Sequence, residues 1–143
     1  MAKSSQRHAS IPQSHHDILE SQCYPIACTI RPDGLISANP VSILWEQGQI
    51  RFTTLKDRMK IRNLQADPRL TLCAIHPHNP LHYLEVRGHA VLEDDADRAF
   101  VNRIAMKYMG LEAFPYDPPG AERMIVTVVA EQVSTPFMGK LAK

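Results

Sequence analysis

Six stretches in which apolar residues alternate with polar ones, or run together briefly, predict six strands: 24–31, 35–45, 49–54, 69–75, 81–92 and 123–130. Pro32, Asp33 and Gly34 form a tight turn between the first two, and Glu46, Gln47 and Gly48 a second hairpin connection. Pro40 falls inside the second stretch and has no N–H for a ladder, so that strand needs an irregularity or an edge there. Gly88, inside the long fifth stretch, marks a bulge or sharp bend. The period changes to a helical one in three places. Residues 15–21 form a short opening helix capped by Ser14. A second helix starts at Asp57, its N-cap, carries Met59, Ile61 and Leu64 on one side, and stops at Asp67 and Pro68. A third runs over 94–108, with Ala96, Phe100, Ile104 and Tyr108 on one face. Residues 110–121, rich in proline and glycine, are an irregular loop, and 135–140 a tail. Residues 1–12 read as a polar, flexible N-terminal arm, and 13–143 as a single domain. Hairpin-linked strands broken by one helix after the third strand and another after the fifth suggest a closed or partly closed antiparallel barrel. A second subunit, in a homodimer, would cover the edges that such a small barrel leaves open.

The second helix is written against its own stability. Arg58 and Lys60 stand in its first turn, where the helix dipole favours negative charge. Arg58 with Arg62, and Lys56 with Lys60, are like-charge pairs four residues apart, each costing roughly 0.2–0.5 kcal/mol. An anion at the helix N-terminus would reverse the sign of every one of these terms, and phosphate is the usual one. A solvated basic face accounts for the same pattern, and the charges alone do not separate the two.

Composition narrows the class without choosing it. With 143 residues, 44% hydrophobic and 22% charged, the chain is one ordinary globular domain. A net charge of +1 leaves no global field for nucleic acid or a membrane surface. Locally, six basic residues between Arg51 and Arg69 face two acidic ones. Cys23, Cys28 and Cys73 are an odd number without ligand spacing, which suits reduced thiols in the cytoplasm. No apolar run approaches bilayer length, and the N-terminus lacks the apolar core of a signal peptide.

The order strand, Phe52-Thr53-Thr54, short turn, Arg58-Met59-Lys60, helix, Asp67-Pro68, strand resembles the flavin-binding split β-barrel family of the pyridoxamine 5'-phosphate oxidase type. The run from Lys60 to Arg69 is especially similar to its deazaflavin branch, which uses coenzyme F420. The likeness covers roughly residues 20–135. It implies a mainly β fold, a dimeric six-stranded antiparallel split β-barrel with a few helices. Carried over position by position, it implies that Arg58 and Lys60 grip the cofactor phosphate. Phe52, Thr53 and Thr54 would line the ring, with Asn39, Pro40 and Val41 facing it from the preceding strand. Lys56 would add charge near the phosphate or an acidic tail. Tyr83, Pro136 and Phe137 would complete the site from the second subunit of a homodimer. The family's FMN-dependent oxidases usually carry Ser-Arg-Lys where this chain has Arg-Met-Lys, and the surplus cations Lys56 and Arg62 suit the more highly charged ligand.

The resemblance therefore implies an F420-dependent reductase that delivers a hydride to an electron-poor conjugated small molecule, an enone or a biliverdin-like C=C or C=N bond. The alternatives are an FMN-binding oxidase or flavin reductase of the same fold, and a non-catalytic carrier of the cofactor or of haem. No catalytic side chain is identified. His76, His78, His82 and His89 invite a metal reading, but His82 and His89 have opposite parity unless Gly88 is a bulge, and no carboxylate or cysteine completes a ligand set. No metal is expected.

Overall fold

The structure, a computed structural model, describes residues 9–136. One antiparallel sheet holds seven strands, β1 (Ile26–Ile30), β2 (Ile36–Pro40), β3 (Ile43–Glu46), β4 (Gln49–Leu55), β5 (Arg69–His76), β6 (Asn79–Asp94) and β7 (Arg123–Ser134), in the order β2-β1-β5-β6-β7-β4-β3. The expected six strands are seven because the 35–45 run divides. Pro40 ends β2, and the chain leaves one edge of the sheet and reaches the opposite edge at Ile43 after only two intervening residues. Two residues cannot span an open seven-stranded sheet, so the sheet must curl until its edge strands meet. This is the partly closed antiparallel barrel that the sequence pattern suggested, and the split β-barrel that the family resemblance implied. The Val41 N–H, donating to Pro25 O at 2.9 Å, holds the corner against the start of β1.

Both hairpin turns form as read. Gly34 has φ +83°, and Gln47 and Gly48 pair two positive φ values, 52° and 74°, in a two-residue connection that follows the strand twist. The bulge in β6 lies where Gly88 placed it, with the register against β7 shifting between Arg87 and Gly88. A Cβ on Gly88 would stand 1.9 Å from the Val129 carbonyl oxygen, so glycine is required there by contact and not by conformation.

The helices start later than the sequence pattern suggested. Helix α1 (His16–Glu20) follows a 3-10 turn at Gln13–His15, and the Ser14 hydroxyl bonds the His15 ring instead of capping. Helix α2 (Met59–Ala66) has Arg58, not Asp57, at its N-cap, and no side chain caps it. Helix α3 (Ala99–Met109) starts five residues after Asp94, which still belongs to β6. The buried Asp95 takes the cap's work from a distance, its two oxygens accepting the Phe100 and Val101 N–H groups at 3.1 and 2.9 Å. Phe52, Ile43, Ile61, Leu72, Leu84, Val86 and Val126 fill the barrel, and α2 docks on it through Ile61 and Leu64. Asn63, on the same helix, is fully buried and donates to Thr29 of β1 at 3.0 Å.

Candidate cofactor site

A cavity of about 750 Å³ opens where the barrel's edge strands meet. Its floor is the corner between β2 and β3, with Asn39, Pro40, Val41 and Ser42. Thr53, Thr54 and Leu55, at the end of β4, form one side, and the first turn of α2 brings Arg58, Met59 and Lys60 to it. Val101 and Ile104 of α3 give it an apolar back. The corner exists because Pro40 ends its strand. The threonines reach the cavity because β4 continues to Leu55, paired with Arg123 of β7.

The cations carry the electrostatics. Lys60 is half-buried, its ammonium 5.6 Å from the centre of the Phe52 ring. Burial first, and then the positive charge of Arg58, push its pKa down to about 8 from an ordinary 10.5. Among the described residues neither Lys60 nor Arg58 has a carboxylate partner. The uncapped α2 N-terminus adds main-chain amides beside them. A cation held out of water next to another cation is unfavourable unless an anion joins them, so this corner fits a phosphate group. The Thr53 hydroxyl donates to Met124 O at 2.9 Å, whereas the Thr54 hydroxyl has no hydrogen-bond partner among the described residues.

Seven of the residues chosen from the sequence therefore meet in one cavity: Asn39, Pro40, Val41, Thr53, Thr54, Arg58 and Lys60. Of the other five, the four that are described do not line it. Phe52 is fully buried in the core and supports Lys60 from beneath. Lys56 faces a neighbouring groove with Asp57 and Pro119, and its ammonium is held by Asp94 at 3.1 Å and Glu122 at 3.6 Å. Tyr83 lies on β6 opposite Ile75, away from the cavity of its own chain. Pro136 follows the end of β7, half-buried, and Phe137 lies outside the described residues.

Sequence reasoning missed the opposite wall. The irregular segment after α3 brings Phe114, Tyr116, Asp117 and Pro118 to the cavity, joined by Arg123 from the first residue of β7. Asp117 accepts from Arg123 at 2.6 and 2.8 Å and from Arg98 at 2.9 Å. Hydrogen bonding from Arg123, reinforced by Arg98, holds its carboxyl below the usual carboxylate range despite burial. The available signal was the aromatic pair among the prolines, but nothing local to it names Arg98 and Arg123 as partners.

The histidines have structural partners: His82 meets Asp17 at 2.9 Å and His89 meets Glu131 at 2.6 Å. Among the described residues no group of three or more His, Cys, Asp or Glu side chains is arranged to hold a metal ion. No helix among them is long and apolar enough to cross a membrane.

The family model described as pyridoxamine 5'-phosphate oxidase matches residues 11–135. Among solved structures, the chain is similar to one named F420 Reductase, with 32% identity and a TM-score of 0.76 over 87% of this chain and 98% of that one. It shares its fold with a conserved hypothetical protein from Mycobacterium tuberculosis, at 18% identity and a TM-score of 0.66, covering 92% and 88% of the two chains. A pyridoxamine 5'-phosphate oxidase-related, FMN binding protein from Nostoc punctiforme superposes with a TM-score of 0.58 at 16% identity, over 84% and 77%. No curated protein matches the chain.

Proposed function

Because the chain belongs to the pyridoxamine 5'-phosphate oxidase family, we propose that it is an oxidoreductase whose flavin-type cofactor is coenzyme F420, and that it reduces an electron-poor conjugated small molecule. The observation that carries the reading is Lys60, a half-buried cation beside Arg58 at an uncapped helix start, without a carboxylate partner among the described residues. The 32% identity to a protein named F420 Reductase favours the deazaflavin over FMN.

Each lining residue then has a task. Arg58 takes phosphate oxygens through its planar fork, and Lys60 supplies a point charge. Thr54 and Asn39 offer polar contacts to the edge of a ring system, while Val41, Val101 and Ile104 exclude water from its face. Bound and reduced, the deazaflavin supplies a hydride to an activated C=C or C=N bond. The protein's part is to hold it and to leave room for an acceptor beside it.

Homodimerisation belongs to the same proposal. Tyr83 and Pro136 lie off the cavity of their own chain, so any contact with cofactor is made across a subunit interface. Edge strand β2 supports this with Ile36, which is 71% exposed.

Titration of the purified protein with coenzyme F420 and with FMN, followed by assay of the reduced complexes with an enone, tests the reading. Preferential F420 binding with turnover is expected. Tight FMN binding without F420 binding would overturn the cofactor assignment. F420 binding without turnover on any acceptor would make the protein a carrier.

A further inference from the structure

We propose that the segment between α3 and β7 is the substrate-side wall of the cavity, latched in place by Asp117, and that Tyr116 on it is the stacking group for a flat, conjugated substrate. The proposal rests on reading the cavity as a redox cofactor site. Its first support is the way the segment is held. Residues 110–122 contain no helix or strand, yet they are fastened to elements on both sides. The Phe114 N–H donates to Asn102 of α3 at 3.1 Å. Asp117, with only 7% of its side chain exposed, is gripped from the N-cap of α3 by Arg98 and from β7 by Arg123. Arg123 also lies 4.6 Å from the centre of the Phe114 ring. Three charge-assisted hydrogen bonds on one buried carboxylate are more than a connecting loop needs, and they fix where its aromatic residues stand.

The second support is Tyr116. It is 75% exposed, the largest exposure of any big hydrophobic side chain described, although its backbone belongs to the fastened segment and its ring meets Phe114 edge-to-face at 5.8 Å. It lines the same cavity as Arg58 and Lys60, which are on the α2 side. The cavity thus has a cationic end suited to a cofactor phosphate and an aromatic, proline-rich end suited to a planar π-system. Two guanidinium groups neutralise Asp117, so it adds no free negative charge to the cavity lining that would repel a substrate carboxylate.

Equilibrium dialysis against menadione, a planar quinone, and cyclohexenone, a small non-aromatic enone, tests the wall without relying on turnover. Wild type and Tyr116→Phe are expected to bind menadione alike, and Tyr116→Leu to bind it about fivefold to tenfold more weakly, the range of an aromatic contact. Cyclohexenone affinity should not separate the three. For the latch, Asp117→Asn should weaken menadione binding similarly and speed chymotrypsin cleavage after Tyr116. Arg98→Lys serves where that variant fails to fold. Equal menadione affinity in wild type and Tyr116→Leu, or none in wild type, would overturn the proposal. So would a loss of F420 or FMN affinity in Tyr116→Leu as large as its loss of menadione. If neither cofactor binds wild type while the menadione contrast persists, the functional reading fails and the aromatic wall stands.

Discussion

Lys60 shows how a side chain can lower stability where it serves binding. Its pKa in the fold, about 8, lies below the ordinary 10.5 because burial and Arg58 disfavour the charged form. A lysine with a depressed folded pKa contributes a penalty that is fully present below about pH 8 and disappears as pH rises toward 10.5, because the unfolded chain then holds the proton that the folded one has shed. Stability is expected to increase across that window. Lys60→Met should raise stability at pH 7 by about 1–2 kcal/mol, a figure reduced for the group's remaining contact with water, as read by urea unfolding. The same substitution should weaken cofactor binding at least tenfold. Cofactor affinity in wild type should decline above about pH 8 as the charge is lost, and Lys60→Arg should remove that decline. Unchanged affinity in Lys60→Met would remove the phosphate assignment. The odd charge placement around Arg58 and Lys60 was legible in the sequence, because a helix N-terminus makes its demand within one turn. Asp117 was not, since its partners lie 19 residues before it and 6 after it in the chain.

Among elements, β6 and α3 carry the sharpest consequences. Strand β6 pairs with β5 through residues 79–89 and with β7 through 85–94, and Gly88 sits where its register against β7 shifts. Gly88→Ala would push a methyl group into the Val129 carbonyl, and this backbone cannot yield as a flexible side chain would. The variant should lose about 3 kcal/mol or more in urea unfolding, with a lower yield of folded protein. Helix α3 depends on Asp95, a buried carboxylate outside the helix that holds two of its first N–H groups. Asp95→Ala should cost about 1–3 kcal/mol by thermal melting, because both donors become unsatisfied in a buried setting. Circular dichroism should show the loss concentrated in helical signal. The sequence placed α3's apolar face at Phe100 and Ile104 correctly but started the helix at Asp94. Aspartates are good helix starters wherever they stand, and only the length of β6 shows that Asp94 belongs to a strand.

For the molecule as a whole, the proposal of a homodimer is the one most open to direct measurement. Sedimentation equilibrium should give a mass of about 32 kDa, twice the 16.1 kDa chain, at micromolar concentration. Ile36→Lys on the exposed edge strand should shift the protein toward monomer and weaken cofactor binding together, since the interface would complete the site. A monomer that binds cofactor with undiminished affinity would show that one chain builds the whole site.

Periodicity, turn residues and the charged helix start were enough to place six strand stretches, both hairpins, the bulge and the cluster of cations at the start of α2, while the phosphate role of that cluster came from the family resemblance. Each of these placements is decided by residues a few positions apart, through alternation, a positive φ or a helix dipole. The seventh strand and the aromatic wall required the folded chain. Whether Pro40 merely kinks a strand or ends it depends on where the barrel's far edge arrives. Whether a proline-rich loop lines a cavity depends on which arginines the sheet and α3 bring to Asp117. Those contacts join residues that are distant in sequence, and their energy exists only once the barrel has closed.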